Sequence, residues 1–292
     1  MDAPLISIIA INYNSANDTV EFLDTVFKTS YPSKEVIVVD NASRENPEQL
    51  IKERFPLVTF IRSETNLGFA GGNNLGIKSS RGKYLFFLNN DTLLPANFFE
   101  PIISFMDANS DVGMASPKIL YSDDKTIQYV GSVGINPYTG RGKRIAIQEE
   151  DKGQYDQCYQ TDLAHGAAVV VPRSVIEKVG PKPEEYFLYY EEHDWCEQVK
   201  RAGFKVYYIG TSKILHKGSV SIGGLDSPLK VYYLTRNRLL FMRRNFKGVP
   251  LFSGLAFFFV FTLPKQTLSF LLRGKIKLLN SFYNGVVWNL RN

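Results

Sequence analysis

The feature that most constrains the fold of this chain is a repeated alternation between short apolar runs and segments with helical spacing. Between the first two runs, apolar residues recur at Val20, Leu23, Val26 and Phe27, the spacing of one helix face. Further helices are predicted at 47–55 and within 66–80. The alternation, with its short connections, predicts an α/β fold with a mostly parallel sheet. The four apolar runs, each predicted to be a buried strand, are residues 5–11, 36–39, 58–61 and 84–88.

Polar clusters directly follow three of these runs. In open parallel sheets, ligands bind at the carboxyl ends of the strands. There, Asp91 and its neighbouring amides would suit Mg²⁺ or Mn²⁺ on a diphosphate, and Asp40 could accept a hydrogen bond from a nucleobase or a ribose. Asn and Asp are also common in turns, so each cluster alone leaves a purely structural interpretation open. The clusters are Asn12-Tyr13-Asn14, Asp40-Asn41-Ala42-Ser43 and Asn89-Asn90-Asp91-Thr92.

A glycine-rich and asparagine-rich segment runs from Asn66 through Gly68 to Asn73 and Asn74. Glycine lets the backbone approach a ligand closely, and amide side chains can bind sugar or nucleotide hydroxyls. The segment matches neither the phosphate-loop pattern nor the dinucleotide-binding glycine pattern. By itself it is weak evidence for a nucleotide site.

Three carboxylates, Glu191, Glu192 and Asp194, fall within four residues at a predicted helix start. One of them could act as the general base that takes a proton from an attacking hydroxyl. Acidic residues also favour a helix N-terminus through its dipole, which is the structural alternative. His216 follows a later apolar run and is one of three histidines in the chain. A metal-ligand role and a structural role for it are about equally supported.

The second part of the chain differs in pattern. Residues 112–160 predict antiparallel strands and loops, and 165–171, 206–209 and 214–216 predict short strands. Residues 191–202 predict a helix. We therefore divide the chain into a catalytic domain at 1–230, with halves 1–110 and 111–230, and a helical region at 231–292. This last region is basic and aromatic. Its apolar run 249–263 is followed by Pro264, which we expect to interrupt the segment, and the run falls short of the ~20 residues that span a bilayer. It predicts contact with a membrane surface or packing on the core or on a partner.

Composition limits the class of protein. The chain has 292 residues, 44% of them hydrophobic, and a net charge of +5. Mild basicity suits phosphate-bearing ligands or an anionic membrane. The first 230 residues have no basic stripe interleaved with aromatics, so nucleic-acid binding is not predicted there. Two cysteines form no disulfide framework and indicate a reducing compartment. The segment from Met1 to Pro4 does not resemble a signal peptide.

Taken together, these motifs resemble family 2 of the inverting glycosyltransferases, which have the GT-A fold. The resemblance extends over roughly residues 5–245 and includes 232–238, similar to a segment common in the bacterial rhamnosyltransferase-like subgroup. It implies that Asp40 contacts the nucleobase and that Asp91 binds Mg²⁺ or Mn²⁺ with His216. The other nucleotide and donor contacts that it implies are Asn12, Asn14, Asn41, Asn66, Gly68, Asn73 and Asn90.

The chain departs from the family pattern at two positions. Asn89 stands where the Asp-x-Asp metal motif usually has its first aspartate, which removes one negative charge from the site. Glu192 stands where the base motif usually has aspartate. We take Glu192 as the general base, with Asp194 and Glu191 as alternatives. The implied mechanism is a single displacement that inverts the anomeric carbon.

The resemblance implies a nucleotide-sugar donor and a glycan or lipid-linked acceptor. The first expectation is L-rhamnose from dTDP-rhamnose, for surface polysaccharide synthesis at the cytoplasmic face of the cell membrane. The alternatives are a UDP-hexose or UDP-N-acetylhexosamine transferase and a non-catalytic nucleotide-sugar-binding protein. A nicotinamide-dependent dehydrogenase is disfavoured, because Asn12-Tyr13-Asn14-Ser15 offers no glycine fingerprint. A sugar nucleotidyltransferase is disfavoured because a glycine-rich loop with a lysine near the first strand is missing.

Overall fold

A computed structural model describes residues 3–218 and 227–292 of the chain. The interpretation of the segment from Met1 to Pro4 lies partly outside these described residues, as do residues 219–226 of the predicted catalytic domain. The predicted boundary between residues 230 and 231 lies within them, inside the helix Pro228–Asn245.

The first half is built from repeated strand–helix units, as the apolar alternation predicts. β1 pairs in parallel with both β2 and β4, and β2 pairs in parallel with β3. Because Asn12 lies opposite Asp40 in the register, the polar clusters meet at one edge of the sheet. The elements are β1 (Ile6–Asn12), α1 (Ala16–Lys28), β2 (Lys34–Asp40), α2 (Glu48–Arg54), β3 (Thr59–Arg62), α3 (Gly68–Ser79), β4 (Tyr84–Leu88), β5 (Thr92–Leu93) and α4 (Phe99–Ala108).

The second half extends the same sheet. Its strand order is β10-β12-β6-β11-β4-β1-β2-β3, with β11 antiparallel to β4. A short 3₁₀ helix at Glu184–Tyr186 precedes α6. The elements are β6 (Val112–Tyr121), β7 (Ile127–Tyr129), β8 (Ser132–Asn136), β9 (Arg141–Arg144), β10 (Cys158–Gln160), β11 (Ala168–Pro172), α5 (Arg173–Val179), α6 (Glu191–Arg201) and β12 (Lys205–His216).

Three expectations for this half are wrong in detail. The two strands expected at 206–209 and 214–216 are one strand, β12, which shifts register between Ile209 and Lys213. The strand expected from His165 begins at Ala168, because the Ala168 amide closes a turn on the His165 carbonyl. β6 pairs in parallel with β12, although antiparallel structure was expected there, and it pairs antiparallel with β7 and β11. β8 and β9 are antiparallel to each other, as expected.

Both faces of the sheet are buried, which holds its carboxyl edge rigidly. Alternate residues of a strand point to opposite faces. In β4, Tyr84, Phe86 and Leu88 therefore join one apolar cluster, and Leu85 and Phe87 join the other. Buried parallel strands carry such continuous apolar runs, which explains why the sequence shows them clearly.

The last part of the chain is helical, and its longest apolar helix differs from the expectation. α7 (Pro228–Asn245) packs on α10 (Ile276–Arg291). Pro264 lies in the segment between these two helices and was expected to interrupt it, but the segment remains helical there. α8 (Gly248–Phe257), a π turn (Phe258–Thr262) and α9 (Leu263–Leu272) are continuous. The π turn accommodates Pro264, which has no N–H to donate to the carbonyl of Val260.

The resulting helix, Gly248–Leu272, has 25 residues and is long and apolar enough to cross a membrane. In its apolar stretch of 18 residues, only 11% of the residues are buried within the protein.

Candidate functional site

A cleft of about 230 Å³ opens at the carboxyl edge of the parallel strands. Polar residues from all three sequence clusters and from the glycine-rich segment line it, together with Phe187 and Leu188 from the loop before α6. Among the described residues, the predicted site positions that line the cleft are Asn41, Asn66, Gly68, Asn90 and Asp91.

Asp40 lies at the centre of a buried network beneath this cleft. Its Oδ1 accepts from Asn12 Nδ2 at 2.7 Å and from Ser43 Oγ at 2.5 Å. Its Oδ2 accepts from the Ser43 amide at 3.2 Å and from Arg62 Nη1 at 3.0 Å. Asp40 and Asn12 are completely buried. We call Asn12, Asp40, Ser43 and Arg62 the Asp40 network; it satisfies all four acceptor positions of the carboxylate and holds the ends of β1 and β2 together.

Asn14 lies just outside this network and is exposed. Its amide donates to Ser43 Oγ at 2.8 Å, and its Oδ1 accepts from the Arg44 amide at 2.9 Å. Its φ of 54° is left-handed, a conformation that asparagine tolerates better than most residues. Asn14 therefore joins the turn after β1 to the turn after β2.

Asn41 fastens the glycine-rich segment to the sheet. Its Nδ2 lies 3.0 Å from both Asn66 Oδ1 and the Gly68 carbonyl, and its Oδ1 accepts from the Leu67 amide at 2.9 Å. Gly68 has φ +73°, and a Cβ there would lie 2.3 Å from the Phe187 carbonyl oxygen, so only glycine fits. Asn73 is buried within α3 and donates to the Phe69 carbonyl at 2.8 Å, away from the cleft.

Asp91 and His216 meet at the end of the cleft. His216 Nδ1 lies 2.7 Å from Gln128 Oε1, and in the tautomer whose Nδ1 donates to this oxygen, Nε2 presents a lone pair. That Nε2 lies 3.1 Å from Asp91 Oδ1. Beside them, Asn89 Oδ1 is buried and has no hydrogen-bond partner within the described ranges. Two facing acceptors and an unpaired amide oxygen are a suitable donor set for a divalent cation.

The protein supplies only part of a coordination sphere here. Among residues 3–218 and 227–292, no group of three His, Cys, Asp or Glu side chains could hold a metal. Mn²⁺ and Mg²⁺ usually retain several waters or substrate phosphates, so a two-residue anchor fits an ion that arrives with a diphosphate. Asn90 does not point to this pair but donates to Ser15 Oγ and Thr19 Oγ1, both at 2.8 Å, which ties β4 to α1.

The three carboxylates of α6 have different environments. Asp194 is buried and fully engaged: it accepts from Arg244 Nε at 2.8 Å and from Asn245 Nδ2 at 3.0 Å. Glu191 is buried, and burial followed by the nearby Glu192 raises its pKa well above the usual value. Glu192 lies against Gly166. Of the three, Glu192 is best placed to act as a base, because Asp194 is occupied and Glu191 favours its neutral form.

Lys182 lies behind these carboxylates and was not identified from the sequence. Its ammonium group lies over the rings of Phe69, Phe87 and Trp195 at 4.8, 4.5 and 5.4 Å. Burial lowers the pKa of Lys182 to about 8, an effect that Glu191 and Glu192 oppose. One polar atom in each of four neighbouring side chains has no hydrogen-bond partner in the part of the chain that the structure describes. We call these residues the α6 cluster: Lys182, Glu191, Glu192 and His193.

Asn237 holds the loop that leads into α6. Its Nδ2 lies 2.9, 2.7 and 2.8 Å from the carbonyl oxygens of Tyr186, Leu188 and Tyr189. The loop needs such a clamp, because Phe187, Tyr189 and Tyr190 all have positive φ. The clamp gives a physical reason for the 232–238 segment noted in the sequence, although the sequence alone did not connect it to α6.

Comparison with known families finds that residues 7–180 match the family described as glycosyl transferase family 2. A low-salt glycan biosynthesis hexosyltransferase of Haloferax volcanii is 26% identical over 80% of this chain and 74% of its own length. A dTDP-rhamnosyl transferase of Shigella flexneri is 27% identical over 83% of this chain and 81% of its own.

Solved structures show the same fold at lower identity. A mannosyltransferase from Pyrobaculum calidifontis, solved with GDP-Man and Mn²⁺, has a TM-score of 0.61 at 15% identity, covering 99% of this chain and 88% of its own. TarS from S. aureus, solved with UDP-GlcNAc, has a TM-score of 0.62 at 15% identity, covering 97% and 80%.

Proposed function

Because the chain belongs to glycosyl transferase family 2 and has the GT-A fold, we propose that it is a metal-dependent, inverting transferase that takes one sugar from a nucleotide-sugar donor. Glycosyltransferase activity in glycan biosynthesis follows from the family and from the relatives. The metal, the stereochemistry, the donor and the acceptor are the parts that we propose. The observation that carries the proposal is the 3.1 Å contact between Asp91 Oδ1 and His216 Nε2, beside the unpaired Asn89 Oδ1, at the end of the cleft.

Asp91 and His216 would hold Mg²⁺ or Mn²⁺, with Asn89 beside them. The bound ion supplies positive charge that offsets the negative charge of the leaving nucleoside diphosphate. Asn41, Asn66 and Gly68 form the cleft wall that would receive the nucleotide. The Asp40 network lies beneath that wall and keeps β1 and β2 in register. Asp40 would therefore act on the nucleobase site indirectly, through the position of the wall.

Glu192 would take the proton of the acceptor hydroxyl. As the acceptor oxygen forms its bond to the anomeric carbon, the bond from that carbon to the phosphate oxygen breaks, and the nucleoside diphosphate departs with the electron pair. The unpaired Oε2 of Glu192 supports this role, because a base needs a free lone pair directed at its substrate. Glu191 and Asp194 are the alternatives.

The donor that we propose first is dTDP-rhamnose. It is supported by the similarity to the Shigella flexneri dTDP-rhamnosyl transferase. A UDP-hexose or UDP-N-acetylhexosamine donor is the second candidate, favoured by the fold shared with TarS in complex with UDP-GlcNAc. A non-catalytic nucleotide-sugar-binding protein is the third.

A donor panel tests the proposal. Release of nucleoside diphosphate is measured for dTDP-, UDP- and GDP-sugars with Mn²⁺, Mg²⁺ or EDTA, and binding of each donor is measured by calorimetry. We expect turnover of one donor, loss of turnover in EDTA, and a loss on the order of 10²-fold in Asp91→Asn. Asp111→Asn is the matched control, because Asp111 pairs with Lys205 on the surface. Metal-independent turnover would contradict the metal site, and donor binding without any turnover on added acceptors would favour the binding protein.

We also propose that the protein associates with the cytoplasmic face of a membrane through Gly248–Leu272. Val249, Phe252 and Leu272 of this helix are between 72% and 79% exposed, which is unusual for large apolar side chains. Basic residues at 265, 273 and 277 border them and suit anionic lipid headgroups.

Sedimentation with anionic vesicles should recover the wild type and lose the triple variant Phe252→Ser, Val260→Ser, Phe261→Ser. Leu57→Ser, on the opposite half of the chain, should bind as the wild type does. Equal binding of all three proteins would refute the surface.

A further inference from the structure

The last helix of the chain, α10, lies very close to α7. A Cβ on Gly285 would lie 2.8 Å from the Tyr232 carbonyl oxygen and 3.0 Å from the Arg236 amide nitrogen, so a larger residue at 285 would push the two helices apart. Two side chains bridge the same helices. Asn289 Nδ2 donates to the Arg236 carbonyl at 2.9 Å, and Arg243 Nη1 donates to the Asn289 carbonyl at 2.8 Å. Side chains of α10 are therefore held in a defined position against α7.

Arg236 of α7 is buried between aromatic rings. Its guanidinium lies 4.4 Å from the ring centre of Trp288 in α10 and 5.1 Å from that of Tyr233. Its Nη2 donates to the Glu185 carbonyl, and its Nε donates to Asn237 Oδ1 at 2.8 Å. The faces of tryptophan and tyrosine rings attract a guanidinium, and this attraction is strongest where water is excluded. Arg236 therefore joins α10 to the loop before α6.

The ring contacts continue from Arg236 to the cleft. The Tyr233 ring stacks on that of Phe187, with ring centres 5.1 Å apart and planes at 15°. Phe187 lines the cleft and touches its glycine-rich wall: its carbonyl accepts from the Phe69 amide at 2.6 Å, and its Cδ2 would lie 2.6 Å from a Cβ on Gly68. A continuous line of contacts thus connects the last helix with the cleft. We call these residues the Trp288 column: Trp288, Arg236, Tyr233 and Phe187.

Phe187 needs support from outside its own loop. Its φ of 61° is left-handed, a conformation that is costly for a bulky residue unless its surroundings hold it. Asn237 binds the carbonyls of Tyr186, Leu188 and Tyr189, on either side of Phe187, but not that of Phe187 itself. The stacked Tyr233 ring supports the Phe187 side chain instead. The direction of the Phe187 ring therefore depends on the Trp288 column.

We propose that α10 is part of the donor site, with Trp288 as a positioning residue that acts through Arg236 and Tyr233 to hold Phe187 against the glycine-rich wall. This inference rests on the proposed function, because it takes the cleft as the place where the nucleotide binds. It assigns the last helix to the catalytic unit, whereas Gly248–Leu272 serves the membrane. The predicted division of the chain at residue 230 then separates residues that act together.

The test compares Trp288→Leu with Phe282→Leu. Phe282 is the matched control, because it lies on the same helix, is buried, and packs on the rings of Phe258 and Phe270 instead of on Arg236. Binding of dTDP and UDP in the presence of Mn²⁺ is measured by calorimetry, and thermal stability is measured for each variant. We expect Trp288→Leu to bind the preferred nucleotide about ten-fold more weakly than the wild type. Phe282→Leu should lose stability and keep the wild-type affinity.

Two further variants separate positioning from packing. Trp288→Phe should restore most of the affinity, because it keeps an aromatic face under the guanidinium. Arg236→Lys should bind as weakly as Trp288→Leu, since an ammonium cannot lie flat between two rings and donate to both of its acceptors. Sedimentation of Trp288→Leu with anionic vesicles should match that of the wild type, which separates the column from the membrane contact.

Two results would overturn the inference and leave the proposed function standing. One is wild-type nucleotide affinity in Trp288→Leu. The other is an equal loss of affinity in Trp288→Leu and Phe282→Leu, which would show that the helical region only stabilises the fold. Failure of the wild type to bind either nucleotide would contradict the nucleotide cleft itself, and the proposed function would fall together with the inference.

Discussion

Two groups of polar side chains flank the sheet edge, and they differ in how completely their hydrogen bonds are made. In the Asp40 network, one carboxylate accepts four hydrogen bonds from Asn12, Ser43 and Arg62. In the α6 cluster, each of the four members has a polar atom that lacks a partner among the described residues. Arg62 is exposed and Glu192 and His193 are half-buried, but the Asp40 carboxylate and the unpaired atoms of the α6 cluster are themselves buried, so exposure to water does not account for the difference.

This difference indicates which part of the site is complete before a substrate arrives. Buried polar groups without partners are rare in folded proteins, because each one costs free energy. A cluster of them is tolerated where a ligand or a reacting proton later supplies the missing interaction. We infer that the Asp40 network is scaffolding for the nucleotide cleft, whereas the α6 cluster is completed by the acceptor.

The two groups also differ in how the chain builds them. The Asp40 network joins successive strand ends that pair in register, Asn12 with Asp40. The α6 cluster depends on residues far along the chain. Asn237 clamps the loop before α6, and Arg244 binds Asp194 of the helix α6 itself. Neighbouring strand–helix units therefore form the Asp40 network, whereas the packing of α7, which is distant in sequence, positions the α6 cluster.

The largest effect that we expect comes from Glu192→Gln, which replaces the basic carboxylate with a non-basic amide and keeps the size of the side chain. Transfer should fall by about 10²–10⁴-fold, the usual contribution of a general base. Donor affinity, measured by calorimetry, should not change, since the Asp40 network and the cleft wall are untouched. Asp194→Asn is the contrasting variant: it should lose thermal stability, because the buried charged acceptor of Arg244 and Asn245 is lost, although Glu185 still pairs with Arg244. If Asp194→Asn lost transfer at unchanged stability while Glu192→Gln stayed active, the roles of the two carboxylates would be reversed.

Much of the fold, and one side of the site, could be predicted from the sequence. The fully apolar runs of the parallel strands and the polar residues after them are local patterns, so the placement of Asn41 and Asp91 at one sheet edge followed directly. Lys182 and Gln128 could not be found in this way. Each acts through neighbours that are distant in sequence, such as the three rings around Lys182. The continuation of the helix through Pro264 was missed because a single π turn leaves no compositional signal.

The second effect concerns stability and compares one carboxylate from each group. Asp40→Asn should lower the free energy of unfolding by about 2–3 kcal/mol, because hydrogen bonds to a charged group are lost and an amide N–H faces donors. Glu191→Gln should change it by less than about 1 kcal/mol, since burial already raises the pKa of Glu191 towards the neutral form. Chemical denaturation at pH 7 measures both. Equal losses in the two variants would show that the groups are equally satisfied, contrary to the comparison.

The smallest effect is a pH dependence that arises beside the α6 cluster. Burial, followed by the charges of His216 and nearby groups, lowers the pKa of His165 to about 3. In the unfolded chain this pKa is about 6.5. Between these values the unfolded state binds a proton that the folded state does not, so stability falls as the pH decreases from about 6.5. The slope from one such group is at most ~1.4 kcal/mol per pH unit.

His165→Asn should reduce that slope, because Asn keeps an acceptor for the Ala167 amide, which donates to His165 Nδ1 at 3.2 Å, and does not titrate. The informative window is pH 6.5 to 5, above the range in which ordinary carboxylates protonate. Glu191, whose pKa is raised by burial, is present in both proteins. The pKa of His193 is lowered by burial too, so its contribution is present in both proteins and cancels in the comparison. Parallel stability curves in this window would show that water or an ion reaches His165 in the folded state. The α6 side would then be open to solvent, and its unpaired atoms would be hydrated rather than waiting for an acceptor.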